Sequence, residues 1–206
     1  MTKWEEAWQE GRIGWDAGDS PPILHQLVAQ KTLPAGRALV PGCGAGYDVL
    51  TLASPNRKVI GLDAAPSAKA RFQGLLHDSS VDPNHVDYLS DDFFNFEPSQ
   101  PFDLVWDYTF LCAIQPERRP AWSRKMSRLI RSGGELVTLL FPVIEDHSTF
   151  LEMVATGPPF PLVPEQTPHL VQEGFEPITI SPVPPSLSHE GRRGKEWLAR
   201  FRRLLH

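Results

Sequence analysis

Cysteine is scarce in this chain: two residues in 206, Cys43 and Cys112, both in apolar surroundings. That excludes a disulfide framework and leaves small core filler as the expected role, with a reactive thiol as the other reading. Long hydrophobic runs are missing as well. No stretch of about 18 apolar residues exists, so no membrane-spanning helix is predicted. Positive charge is not in excess: a formal net charge of -5 provides no basic field for nucleic acid. The basic residues gathered in the last fifteen positions alternate with apolar ones, as an ordered strand would. No clustered His, Cys and carboxylate spacing suggests a metal, and no G-x-S-x-G elbow suggests a hydrolase. The first residues are polar and aromatic, unlike a signal peptide. A cytoplasmic enzyme is the expectation, and nothing in the pattern sets an oligomeric state.

What is present centres on Arg37-Ala-Leu-Val-Pro-Gly-Cys-Gly-Ala-Gly-Tyr-Asp48. An apolar run ends at Pro41, three alternating glycines follow (Gly42, Gly44, Gly46), and a helical pattern begins near Tyr47. Strand, glycine turn, helix is the nucleotide-binding start of an α/β sheet. Glycines let the backbone approach a ligand that a Cβ would block. The spacing is G-x-G-x-G, not the dinucleotide G-x-G-x-x-G, and no Lys-Ser/Thr follows as in a P-loop. A second strand, Lys58-Val-Ile-Gly-Leu-Asp63, ends in a carboxylate just before Ala64. An acid about 20 residues past the glycines can accept both ribose hydroxyls of an adenosine. The competing reading is a tight strand–helix turn with an unrelated surface acid.

Along the chain, Thr2 to Gly11 reads as a short helix with a Thr2/Glu5 capping box. Three of the six tryptophans, Trp4, Trp8 and Trp15, fall in the first fifteen residues, with Trp4 and Trp8 one helical turn apart. Either they anchor an N-terminal arm, or they form a lid whose aromatic faces suit a cation such as a sulfonium. Pro21 to Ala29, Pro66 to His77 and Pro116 to Ile130 read as helices, the last ended by Ser132-Gly-Gly134. Strands are expected at His85 to Leu89, Pro101 to Asp107, Glu135 to Phe141, Phe175 to Pro182 and from Trp197, the last with a C-terminal helix as the alternative. Asp91, Asp92 and Phe93 follow the third strand, where an acid can bond an adenine amino group and Phe93 can cover the ring. A helix-capping acid pair is the other reading. Asp107 and Tyr108, at the fourth strand end, are expected to point into the same crevice. Ten of the 21 prolines fall in the 65 residues after 141, and Pro142 to Gln166 reads as an irregular insertion rather than a second domain. Pro168 to Glu173 reads as the end of a helix closed by Gly174.

Trp4-Glu-Glu-Ala-Trp8, Gly14-Trp-Asp16, Ala38-Leu-Val-Pro-Gly-Cys-Gly-Ala-Gly-Tyr-Asp48, Val59-Ile-Gly-Leu-Asp63, Phe102-Asp-Leu-Val-Trp-Asp-Tyr108, Cys112-Ala-Ile114 and Gly194-Lys-Glu-Trp-Leu-Ala-Arg200 together resemble the thiol/halide methyltransferases. These are the plant and fungal halide, thiocyanate and bisulfide methyltransferases of the thiopurine methyltransferase superfamily. The likeness runs from residue 4 to about 142 and resumes near the end. It includes the departure from most methyltransferases at Val40, where an acid usually stands. The resemblance implies a single class I S-adenosylmethionine-dependent methyltransferase domain over 1–206: a Rossmann-like seven-stranded sheet, last strand antiparallel. Residues 1–34 would be an N-terminal helical lid, 35–142 the cofactor core, and 143–206 the acceptor-site insertion and C-terminal hairpin. It implies Trp4, Trp8 and Trp15 over the cofactor, Gly42 and Gly44 near its methionine end, and Asp63 with Ala64 at the ribose. Asp91, Asp92 and Phe93 would lie at the adenine, and Asp107 and Tyr108 near the methyl donor. The implied product is S-adenosylhomocysteine, and no metal is implied.

Methyl transfer from a sulfonium is an in-line displacement, and a soft anion needs no base. The partner expected is therefore a small-molecule or inorganic anion acceptor such as a halide, thiocyanate or hydrosulfide, with Tyr108 orienting methyl or anion. His147 falls in the expected acceptor loop, where a loop-structuring role is the other reading. An aromatic thiol acceptor of the thiopurine kind and a noncatalytic S-adenosylmethionine-binding protein are the alternatives.

Overall fold

A computed structural model describes residues 3–144, 149–171 and 174–205 of the chain. It opens with α1 (Lys3–Gln9) and α2 (Pro22–Ala29). Pro22 sits in the first turn of α2, where its missing N–H leaves no helical bond unmade. Then β1 (Gly36–Pro41), α3 (Tyr47–Leu52), β2 (Arg57–Asp63), α4 (Pro66–Asp78), β3 (Val86–Ser90), β4 (Phe102–Tyr108), α5 (Arg119–Leu129) and β5 (Ile130–Leu140) alternate as the sequence predicts. α6 (Phe150–Thr156) and α7 (Thr167–Val171) precede β6 (Phe175–Pro182) and β7 (Trp197–Arg203).

The strands form one sheet in the order β3-β2-β1-β4-β5-β7-β6. Neighbours from β3 to β5 run parallel, and β7 is antiparallel to both β5 and β6. The expected seven-stranded Rossmann-like sheet with an antiparallel last strand is therefore present, and Trp197 onward is strand rather than helix. The inner strands are apolar on both faces, as parallel strands covered by helices must be. Leu39 and Val105 face a core with Trp122, Met126 and Leu129 of α5. Ala38, Val40, Leu104 and Trp106 face the opposite core with Leu24 and Leu27 of α2 and Val49 and Leu52 of α3. Burying each such leucine or valine contributes roughly 1.5–3 kcal/mol. Because β1 lies between β2 and β4, the chain leaves its tip in one direction and returns on the other side. The crevice at the C-terminal ends of β1 and β4 is the topological switch point, where ligands of such sheets bind.

Two expectations are corrected. Ser132-Gly-Gly134 does not end a helix: α5 stops at Leu129, and Ile130 already pairs with Phe102. The next matched pair is Leu104 with Glu135, so the intervening residues bulge out of β5. Gly133 takes a φ of 76°, and a Cβ on Gly134 would stand 3.0 Å from the Asp103 carbonyl, which is why glycines fill the bulge. Nor is 142–166 irregular throughout, since it contains α6 and a short turn of helix at Pro164–Gln166. Thr2, Asp146 and His147, and the end of the expected helix at 172–173, lie outside the described residues.

Candidate active site

The glycine turn between β1 and α3 has Gly42, Gly44 and Gly46 at φ 59°, 52° and 84°. All three are left-handed, a region that costs a residue with a Cβ about 1–2 kcal/mol. A Cβ on Gly42 would overlap the Phe110 ring, and one on Gly44 would stand 3.4 Å from Cζ2 of Trp8. The Gly44 N–H donates to Oδ2 of Asp63 at 2.9 Å, and the Ala65 N–H donates to Oδ1 at 2.9 Å. The Ala64 N–H also acts on this carboxylate. The Tyr88 hydroxyl donates to the Gly44 carbonyl at 2.8 Å. The turn is thus tied to the tips of β2 and β3. Burial raises the Asp63 carboxyl above its ordinary value, and the backbone donors oppose that rise. With about four lone-pair sites on two oxygens, the carboxylate keeps acceptor capacity beyond these protein donors.

The three N-terminal indoles form one group. Trp4 meets Trp15 edge-on at 5.3 Å between ring centres, and Trp8 meets Trp15 at 6.2 Å. Glu5 fastens α1 to the first turn of α4 through the N–H and hydroxyl of Ser67, at 3.0 and 2.6 Å. The arm is anchored, and in that anchored position Trp8 lies against the glycine turn.

At the β3 end, the Asp91 N–H donates to the Asp63 carbonyl at 3.2 Å, so this segment borders the same crevice. Asp91 and Asp92 are exposed. Asp92 Oδ1 accepts the N–H groups of Phe94 and Asn95 at 2.8 and 3.2 Å, which closes a turn between β3 and β4 rather than capping a helix. Phe93 is buried, its ring 4.9 Å from that of Phe110 and 5.2 Å from that of Phe94.

Asp107 and Tyr108 do not point the same way, because neighbouring side chains of a strand leave opposite faces. Asp107 is buried with both oxygens engaged, accepting from the Leu111 N–H at 3.0 Å and from Trp122 Nε1 at 2.9 Å. Burial pushes its carboxyl up to about 7. Tyr108 lies on the other face, its hydroxyl donating to Glu196 Oε1 at 2.8 Å. Burial raises this phenol as well. The Arg192 guanidinium stacks 4.9 Å from the Tyr108 ring and 4.8 Å from the Phe141 ring, and donates from Nη2 to the Trp15 carbonyl at 2.6 Å. Thr109 completes the tip at φ 57°, a strained conformation for a β-branched residue.

Sequence reasoning missed Phe110, Phe141, Arg192 and Glu196. Glu196 stands 88 residues from Tyr108, and only the antiparallel placement of β7 beside β5 brings them together. It also missed the half-buried bond from Trp106 Nε1 to Asp48 Oδ2 at 2.7 Å, where burial pushes the Asp48 carboxyl up to about 6. Arg192 Nη1, Glu196 Oε2 and His189 Nε2 are buried without a hydrogen-bond partner among the described residues. Such atoms mark a place for water or a polar ligand. Both thiols serve as filler: burial pushes Cys43 well up and Cys112 to about 12, far from the thiolate that reactivity requires. Among the described residues no group of three or more His, Cys, Asp and Glu is arranged to hold a metal, and no helix is long and apolar enough to cross a membrane.

The family model for thiopurine S-methyltransferase (TPMT) matches residues 1–201. The chain is similar to a probable thiol methyltransferase 2 of Arabidopsis thaliana, 43% identical over 97% of this chain and 84% of that one. It is also similar to thiocyanate methyltransferase 1 of Brassica oleracea, 41% identical over 98% of this chain and 84% of the relative. Among solved structures, the N-methyltransferase NodS from Bradyrhizobium japonicum WM9, in complex with S-adenosyl-L-homocysteine, matches with a TM-score of 0.66 at 17% identity. That match covers 88% of this chain and 85% of the other and speaks to the fold.

Proposed function

Because the chain belongs to the thiopurine S-methyltransferase family, we propose that it is an S-adenosylmethionine-dependent methyltransferase whose acceptor is a small soft nucleophile: thiocyanate, hydrosulfide, a halide or a small thiol. The observation that carries this reading is the meeting of three features at one point. Gly44 lies between the Asp63 carboxylate, which takes its N–H, and the Trp8 indole, which packs where a Cβ would project. A Cβ-free turn, a strand-end acid with acceptor capacity left and an indole cover fit the methionine end, the ribose and the sulfonium of such a carrier.

When bound, S-adenosylmethionine supplies an electrophilic methyl on a sulfonium and leaves as S-adenosylhomocysteine. Gly42 and Gly44 would admit its methionine end. Asp63, with Ala64, would take the ribose, and Asp91, Asp92 and Phe93 would border the adenine. Asp107 would fix the β4 tip from below. Trp4, Trp8 and Trp15 would cover the site and exclude water, which strengthens an anion as a nucleophile by removing its hydration. Tyr108 would orient the acceptor, with the Arg192 guanidinium holding its negative charge between two aromatic rings. No metal and no catalytic base is needed for an acceptor that is already an anion.

The names of the relatives favour a small thiol or thiocyanate over a larger aromatic thiol. Halide acceptance, a cytoplasmic setting, the absence of a nucleic-acid partner and the division into lid (1–34), core (35–142) and acceptor segment (143–206) belong to the same proposal. Calorimetry with S-adenosylmethionine and NAD, then S-adenosylhomocysteine release across iodide, bromide, thiocyanate, hydrosulfide, thiophenol and a thiopurine, tests it. Binding of NAD instead, or no release with any acceptor, would reject it.

A further inference from the structure

Two opposite charges beside Tyr108 leave each other incomplete. Glu196, 1% exposed, accepts the Tyr108 hydroxyl on Oε1, while its Oε2 has no partner among the described residues. Arg192, 8% exposed, holds the Trp15 carbonyl with Nη2, while Nη1 has none. The backbone around them is pinned. Lys195 donates to the Arg192 carbonyl at 3.0 Å, the Lys195 carbonyl accepts from Val143 at 3.0 Å, and the Glu196 carbonyl accepts from Val183 at 2.9 Å. The open atoms therefore belong to a fixed arrangement. The arrangement is continuous with the proposed cofactor turn, through Trp15 to Trp8 and from Trp8 to Gly44.

The charged and titratable groups facing Glu196 come from several elements. Arg192 and His189 lie on the preceding loop and Tyr108 on β4. Asp48 on α3 acts on Tyr108, and Asp19 acts on His189. Tyr108 already spends its hydroxyl proton on Glu196. Glu196 Oε2 is the buried carboxylate oxygen of this group left free to accept a proton.

We propose that Glu196 is the proton acceptor for methyl acceptors that arrive protonated, an inference that rests on the methyl-transfer reading. The S–H bond of a thiol or of hydrogen sulfide breaks, the proton passes to Glu196 Oε2, and the electron pair stays on sulfur as a thiolate beside Arg192. Methyl transfer then forms the S–CH3 bond as the methyl–sulfonium bond breaks, its electron pair staying on the sulfur of the departing S-adenosylhomocysteine, and the proton on Glu196 leaves to water before the next turnover. Thiocyanate or iodide brings no proton and meets the same carboxylate as a like charge. One residue therefore acts with opposite sign on the two kinds of acceptor.

Glu196→Gln tests this, because the amide oxygen still accepts from Tyr108 while the base is gone. The ratio of thiol to thiocyanate kcat/KM should fall by about tenfold or more, since thiol turnover then follows the fraction ionised in free solution. The lost thiol activity should return as pH rises, the thiocyanate KM should fall, and Glu196→Asp should restore part of the thiol activity. Proton counting by calorimetry in two buffers of different ionisation heat gives a readout independent of turnover. Thiocyanate binding to the native protein should take up protons and weaken as pH rises, and both effects should vanish in the glutamine variant. Equal loss with both acceptors, and the same proton counts in both proteins, would reduce Glu196 to a support for Tyr108 and overturn the inference. The expected proton counts without any S-adenosylhomocysteine release would keep the base and reject the methyl-transfer reading instead.

Discussion

Glu5 binds Ser67 through both of its oxygens, one to the N–H and one to the hydroxyl, across 62 residues of sequence. The first N–H groups of α4 have no partner within the helix, and Glu5 satisfies one of them from the lid. A cap is thereby supplied by another element, and the same bonds dock Trp8 at the glycine turn. The Ser67 bonds, side chain first, hold the Glu5 carboxyl below its ordinary value. Its folded pKa is depressed, so the docking contribution is present above the ordinary carboxylate range and is lost as pH falls through the lowered value. Glu5→Ala should weaken S-adenosylmethionine binding several-fold and shift tryptophan emission to the red as the indoles meet water. Unchanged emission with unchanged affinity would show that the lid holds without this latch.

Alanine at the glycines should separate stability from binding. Gly42→Ala meets both a φ of 59° and the Phe110 ring, so it should cost more than the roughly 1–2 kcal/mol of left-handed backbone alone. Gly44→Ala meets the same backbone cost but only the edge of Trp8, at ordinary contact distance. Its stability loss should stay near that figure, while cofactor affinity falls further because the methyl takes space through which a ligand would approach the turn. Denaturant midpoints and calorimetry on both variants check the order.

The sheet was legible because its inner strands are apolar and its strands are separated by strong turn residues. Phe175 to Pro182 is read to the residue, and Asp63 falls at its strand end as its spacing requires. The Gly133–Gly134 pair was misread because glycines after a helical pattern signal a stop, whereas here a close approach to Asp103 decides. The cofactor side of the crevice lies within about one βαβ unit, so local spacing reveals it. The Arg192–Glu196–Tyr108 cluster is assembled by long-range pairing of the last strand. No local period encodes it, although the Gly194-Lys-Glu-Trp stretch carried the resemblance.

Asp107 makes stability depend on pH. Its folded carboxyl titrates at about 7 against an ordinary 3.8, raised by burial. The folded state therefore binds the proton more tightly than the unfolded chain. The stabilisation is full below about pH 4 and is lost as pH rises through about 7, by on the order of 4 kcal/mol at most. Asp48, raised to about 6, adds to the same slope. In Asp107→Asn one of the two donors, Leu111 N–H or Trp122 Nε1, faces an amide NH2, at a cost of about 1–3 kcal/mol. The variant should be less stable near pH 5, with the deficit shrinking or reversing above pH 7. Urea denaturation at several pH values measures this, and a constant deficit would mean that Asp107 does not titrate in that range.

Tyr108→Phe isolates what the hydroxyl does. The ring and its stack against Arg192 remain, and so does its place in the core beside Trp106. What disappears is the 2.8 Å bond to Glu196, which leaves Oε1 without its Tyr108 donor. A carboxylate freed in this way turns more readily toward Arg192, so the acceptor site loses its alignment while the glycine turn, Asp63 and the indoles are untouched. Turnover should fall by about tenfold or more, as expected when reacting atoms lose alignment, and S-adenosylmethionine affinity should stay within about twofold. Single-turnover kinetics with cofactor saturating, set beside calorimetric affinity, separates the two quantities. Parallel losses in both would place Tyr108 in cofactor binding and remove it from the chemistry.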